Sequence, residues 1–158
     1  MEVFAMCIFC NIISGEIPSY KVYEDDNFYA FLDISQATYG HTLVVPKQHF
    51  ENLFAMPDFL LEKMLILVRD LASKIKTATN CKGINILNNN GEAAGQSVHH
   101  FHIHIIPRYD NDNFSIKAIE NKLNNEEFKA LLFNCSGAVG SQPSALFISR
   151  HVINLHIP

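Results

Sequence analysis

Gln96-Ser97-Val98-His99-His100-Phe101-His102-Ile103-His104-Ile105-Ile106-Pro107 is the stretch whose reading decides this chain. His100, His102 and His104 alternate with Phe101, Ile103 and Ile105. Successive side chains of an extended backbone point to opposite faces, so three imidazoles share one face and three apolar groups the other. A helix would scatter the same residues around its circumference. The period of two, closed by Pro107, predicts a strand with an apolar underside and a chemical face. Neighbouring imidazoles on that face stand roughly 6.6 Å apart, near enough to hold one phosphate or one metal ion between them.

Working outward, 88–95 is a turn rich in Asn and Gly, residues that accept positive φ; its backbone N–H groups are expected to cradle an anion beside the histidines. Residues 83–87 predict a strand, and 42–45, β-branched and closed by Pro46, predict a buried one bracketed by His41 and His49. Between them, Leu61, Met64, Leu65, Val68, Leu71 and Ile75 repeat at helical spacing, so 57–79 reads as one amphipathic scaffold helix opened by Pro57 and Asp58. Residues 20–24 and 28–32 predict a hairpin around Asp25-Asp26-Asn27, with Asp33 at its end as a turn-former or an acceptor for ribose hydroxyls. Residues 7–13, stopped by Ser14-Gly15, predict a short helix carrying Ile8, Phe9 and Ile12 on one face. Residues 110–114 read as turn and 126–132 as a short helix. The apolar segment 148–156 is assigned neither helix nor strand, and His151 and His156 are not read as ligands.

Composition narrows the function. The chain has 158 residues, long enough to bury a real core, and is 48% hydrophobic. Net charge is −4 without any run of Lys or Arg, which argues against a nucleic-acid backbone binder; a nucleotide would be gripped in a pocket. No apolar run approaches the roughly 18 residues of a membrane span, and the first six residues lack a leader pattern, so cytoplasmic residence is expected. Cys7 and Cys10 form a C-x-x-C pair, while Cys81 and Cys135 stand alone. A thioredoxin-like motif would need a strand before the pair, which six residues do not provide, so a metal clip is the better reading.

These residues resemble the histidine triad family, whose signature of three histidines alternating with apolar residues is matched by His100 to Ile106. Phe31-Leu32-Asp33-Ile34, Gly40-His41-Thr42-Leu43-Val44-Val45-Pro46-Lys47, Asn89-Asn90-Gly91 and Gly95-Gln96-Ser97-Val98 also stand where that family has its motifs. The resemblance implies an α+β fold: an antiparallel meander of about five strands with one long and one short helix, joined edge to edge in a homodimer. It implies a triad domain over 1–114 and a C-terminal extension over 115–158. It further implies a nucleotidyl hydrolase or transferase acting at the α-phosphate of purine nucleoside phosphoramidates or dinucleoside polyphosphates. His102 is then the nucleophile, His104 and His41 line the phosphate, and Ser97 serves the leaving group. Ile8, Phe9, Ile12 and Phe31 pack on the base, Asp33 holds the ribose, and Asn89 and Gln96 contact phosphate. Some branches carry structural zinc on positions matched here by Cys7, Cys10, His49 and His100.

Two other functions compete: a nucleotide-binding regulatory module with little turnover, and a metalloenzyme whose open site is the triad itself. Alternate residues on a flat strand are too widely spaced to converge on one ion without a sharp bend, which disfavours the second. His99, on the opposite parity, is expected to be structural.

Overall fold

The computed structural model describes residues 7–116 and 122–139, so the segment 148–156 and the first six residues lie outside the described residues. The chain divides into two units, Met1–Ser115 and Ile116–Pro158. The first contains α1 (Ile8–Ser14), β1 (Tyr20–Glu24), β2 (Phe28–Leu32), β3 (Thr42–Pro46), α2 (Asp58–Thr79), β4 (Gly83–Leu87) and β5 (Ile103–Arg108). Single 3₁₀ turns occupy Leu53–Ala55 and Glu92–Ala94. The second unit contains α3 (Asn125–Val139), longer than the helix its sequence predicts.

The five strands form one antiparallel sheet in the order β1-β2-β3-β5-β4. Register follows residue parity. Phe31, Leu43 and His104 lie opposite one another across three strands, as do Ala30, Val44 and Ile103 one step along. The second row faces α2, whose Leu60, Met64, Val68, Leu71 and Ile75 are buried against Phe101, Ile103 and Ile105. Each such side chain contributes about 1.5–3 kcal/mol of transfer free energy, so this layer supplies most of the stabilisation. The first row faces α1, through Phe9 and Ile12.

The strand predicted from the histidine alternation is shorter than expected. Ladder pairing begins only at Ile103, opposite Val44, so His100, Phe101 and His102 run past the end of the β3 ladder. They are held by other bonds: Phe101 N–H donates to the Phe50 carbonyl (2.6 Å) and the Asn88 amide to the His102 carbonyl (2.8 Å). Alternation survives because the backbone stays extended. Phe101 is buried under α2, while His100 and His102 turn to α1.

Gly40 delivers the turn before β3. Its φ is +89°, and a Cβ there would meet Thr79 Cγ2 at 2.9 Å, so a side chain would be both strained and obstructed. Gln36 closes this turn: its Oε1 accepts from the Gly40 and His41 N–H groups, and its amide donates to the Asp33 and His41 carbonyls. No helix of the described residues is long and apolar enough to cross a membrane.

Candidate functional site

Two side-chain clusters meet at the start of β5. In the first, His100 Nδ1 lies 3.4 Å from Cys7 Sγ and 3.6 Å from Cys10 Sγ, and His49 Nδ1 lies 3.5 Å from Cys10 Sγ. The four ligand atoms lie within 4.8 Å of one another, a set that could hold a metal ion. Cys7 caps the N-terminus of α1, and Cys10 sits at its third position. His49 leaves β3, and His100 enters β5. The His100 Nε2–H donates to the Pro46 carbonyl at 2.9 Å, which turns the lone pair of Nδ1 toward the sulfurs. Burial pushes the His100 pKa down to about 4, so the ring is neutral and able to coordinate. Burial, with Cys7 alongside, pushes the Cys10 thiol up to about 11.

The second cluster lines a cavity of about 300 Å³ between α1 and the sheet. Ile8, Phe9, Ile12, Phe31 and Val98 provide an apolar wall, and Asp33, Ser97, His102 and His104 polar positions. His102 is 4% exposed, and its Nδ1–H donates to the His100 carbonyl at 2.7 Å. A carbonyl can only accept, so the hydrogen sits on Nδ1 and Nε2 keeps its lone pair. Burial lowers the His102 pKa and favours this neutral form at ordinary pH. Phe9 packs edge-on against the His102 ring, with centroids 5.2 Å apart, and the His104 ring centroid lies 4.9 Å from that of His102.

His104 Nδ1 and His41 Nε2 are hydrogen-bonded at 2.9 Å, and Asp33 Oδ2 stands 3.6 Å from His41 Nδ1. Asp33, His41 and His104 also lie close enough together to suggest an ion site. Asp33 approaches one nitrogen of His41 and His104 the other, so the arrangement is a chain of side chains rather than a cage. Burial lowers the His41 pKa and brings that of His104 to about 4.

Most of the sequence candidates converge on these two clusters. His41 is buried behind His104 rather than lining the cavity. Asn89 and Gln96 do not line it either: the Asn89 amide donates to the Gly95 carbonyl, while the Gln96 amide donates to the Glu51 and Val98 carbonyls and its Oε1 accepts from Gly91 N–H. The anion cradle expected over 88–95 cannot draw on Gly91, Ala94 or Gly95, whose N–H groups are already bonded. The N–H groups of Gly91, Ala94, Gly95 and Gln96 are all used to close the loop on itself. His99 departs from the structural role expected of its parity: its side chain is exposed near Glu51, whereas Phe101, of the same parity, is buried under α2. Sequence reasoning missed Asn88, which holds the His102 carbonyl, Gln36, and the cavity residues Ile17, Pro18 and Leu43. Leu43 had a signal in its parity with His41; Asn88 and Gln36 act through hydrogen bonds that no spacing reveals.

A family model described as the HIT domain matches residues 14–111. The chain belongs to the HIT family. This HIT chain is 57% identical over 103 residues to Protein hit of Bacillus subtilis, covering 65% of this chain and 71% of that one. It is 43% identical over 114 residues to adenosine 5'-monophosphoramidase HNT1 of Candida albicans, covering 70% of this chain and 75% of the relative. Among solved structures, a Zn-bound histidine triad family protein from Mycobacterium smegmatis superposes with a TM-score of 0.67 at 35% identity, covering 85% of this HIT chain and 98% of its own.

Proposed function

We propose that this HIT protein is a nucleotidyl hydrolase or transferase acting on purine nucleoside phosphoramidates or dinucleoside polyphosphates. One observation carries the reading: a neutral His102 whose Nδ1–H is held by the His100 carbonyl at 2.7 Å, on a ring that lines the cavity. Nε2 of His102 attacks the α-phosphorus, and the bond to the leaving nitrogen or oxygen breaks with its electron pair. The leaving group takes up a proton within reach of Ser97. Water then attacks the same phosphorus, the nucleotide departs, and His102 recovers its lone pair. The His102 Nδ1–H stays on the His100 carbonyl throughout and stabilises the positive charge on the ring of the nucleotidyl-histidine. His104, backed by His41, faces the charge developing on the non-bridging oxygens. Asp33 accepts from the ribose, and Ile8, Phe9, Ile12 and Phe31 enclose the base. Asn89 and Gln96 serve the phosphate indirectly, by shaping the loop that leads into Ser97. The name of the Candida relative, an adenosine 5'-monophosphoramidase, supports the substrate class.

Cys7, Cys10, His49 and His100 would hold a structural zinc ion. Tetrahedral zinc bound by sulfur and nitrogen separates these ligands by about 3.5 Å, matching the 3.4–3.6 Å observed. All four positions are taken by protein, so the ion would supply cross-linking rather than Lewis-acid chemistry. The partner is a second copy. β4 is an edge strand, and Leu65, Ile66 and Ile86 are exposed along an apolar groove of about 830 Å³ between it and α2. All four cysteines are free, consistent with the reducing cytoplasm. The triad domain is taken as 1–114 and the extension as 115–158.

Mixing the protein with an adenosine phosphoramidate tests the assignment. A covalent adduct one adenylyl group heavier, absent in His102→Ala, is expected. Equal turnover by wild type and variant would remove His102 from the role.

A further inference from the structure

Cys7 and Cys10 are half-buried, unlike Cys81, which is enclosed. Their sulfurs lie within 4.8 Å of each other, at the cap and third position of α1. Those two helix positions point to the same side, the relation that lets a capping residue and the third residue bond reciprocally. The two thiols can therefore meet without moving the helix backbone. Between them in sequence is Phe9, whose ring touches both His100 and His102 and lines the cavity with Ile8 and Ile12. α1 has seven residues and no side-chain cap on its N-terminus, and a helix this short has no stability of its own. Its position depends on Phe9 and Ile12 packing on the sheet and on whatever fastens Cys7 and Cys10 to His49 and His100.

We propose that Cys7 and Cys10 are a paired oxidation site that controls the nucleotide cavity. A two-electron oxidant of the peroxide class is the co-reactant. Cys7 attacks a peroxide oxygen as its thiolate, the O–O bond breaks, and water leaves after protonation, giving a Cys7 sulfenic acid beside the Cys10 thiol. The second sulfur displaces the hydroxyl as a second water and forms the disulfide. Two sulfurs are oxidised and one peroxide is reduced to two waters. Both sulfur ligands are consumed together, so any ion on the cluster keeps only His49 and His100 and is released. α1 then loses its tie to the start of β5, and Phe9 its fixed place against His102. A thiol reductant restores the ligands. The inference rests on reading the cavity as a nucleotide site and the cluster as a metal site, and it adds that oxidation of this pair opens both.

The test uses the full chain loaded with zinc and treated with hydrogen peroxide. Peptide mapping scores the disulfide, a colorimetric chelator scores zinc, calorimetry scores AMP affinity, and hydrogen exchange scores 8–14. Expected are one zinc released per Cys7–Cys10 disulfide, AMP affinity weakened about 10-fold, faster exchange over 8–14, and reversal by dithiothreitol with zinc. Cys135→Ser, which removes the exposed cysteine of α3, should respond like wild type. Two results overturn the proposal: Cys7 and Cys10 still reduced when Cys135 is fully oxidised, or a Cys7–Cys10 disulfide with AMP affinity unchanged. A chain that takes up no zinc refutes the metal reading alone, because disulfide, affinity and exchange are still scored. A reduced chain that does not bind AMP refutes the nucleotide reading alone, with disulfide, zinc and exchange still scored.

Discussion

His100 and His102 stand two residues apart, face the same side and are both almost wholly buried, yet their rings are set oppositely. His100 carries its hydrogen on Nε2, given to the Pro46 carbonyl, and turns a bare Nδ1 to two sulfurs. His102 carries its hydrogen on Nδ1, given to the His100 carbonyl, and keeps a bare Nε2 on a ring that lines the cavity. Burial makes both rings neutral and therefore makes both good lone-pair donors. What differs is the acceptor that claims the hydrogen. Under the proposed function one backbone carbonyl would prepare a metal ligand and another a nucleophile, and the two rings are joined because the His100 carbonyl accepts the His102 hydrogen.

The largest effect that would break this contrast is in His102→Ala. Turnover of an adenosine phosphoramidate should fall at least about 10³-fold, while zinc measured by atomic absorption stays at wild-type content. Next comes His104→Ala, which on the proposed reading removes a donor at the phosphate and leaves the His102 imidazole in place. A loss of about 10²-fold in kcat, with AMP affinity changed far less, is expected. His100→Ala should do the reverse of His102→Ala: zinc is lost, the melting temperature falls, and activity drops about 10–100-fold through misplacement of His102. Zinc retained in that variant would merge the two rings into one role.

Acid should expose the cost of keeping these rings neutral. Burial, with His102 and His41 beside it, holds His104 near a pKa of about 4 in the fold, against 6.5 for the ordinary ring. The unfolded chain binds this proton near 6.5 and the folded protein only near 4. Stability is therefore complete above pH 6.5 and is lost as pH falls toward 4. Melting temperatures across that window should decline, and His104→Ala should flatten the decline. The smallest effect concerns the loop before the histidines. Gln96→Ala leaves Gly91 N–H and two carbonyls without their buried partner, costing about 1–3 kcal/mol by urea unfolding. Activity of the folded variant should fall less than in the His104 variant, because Gln96 shapes the loop before Ser97 without lining the cavity.

By itself the sequence determined what repeats locally. Alternation of His100, His102 and His104 with Phe101, Ile103 and Ile105 divided the two faces correctly, because the side-chain period of extended backbone does not depend on neighbours. The 57–79 helix, the hairpin before Asp33 and the strands at 42–45 and 83–87 were legible for the same reason, and 88–95 was legible as a turn but not as a closed one. Tertiary structure decided partnership. Cys7 and His100 are separated by 93 residues, and His41 and His104 by 63. They meet only because α1 folds over the sheet and β3 pairs with β5. Which nitrogen of each imidazole is bare depends on where one carbonyl ends up, and a carbonyl's position belongs to the packed chain rather than to any residue in it.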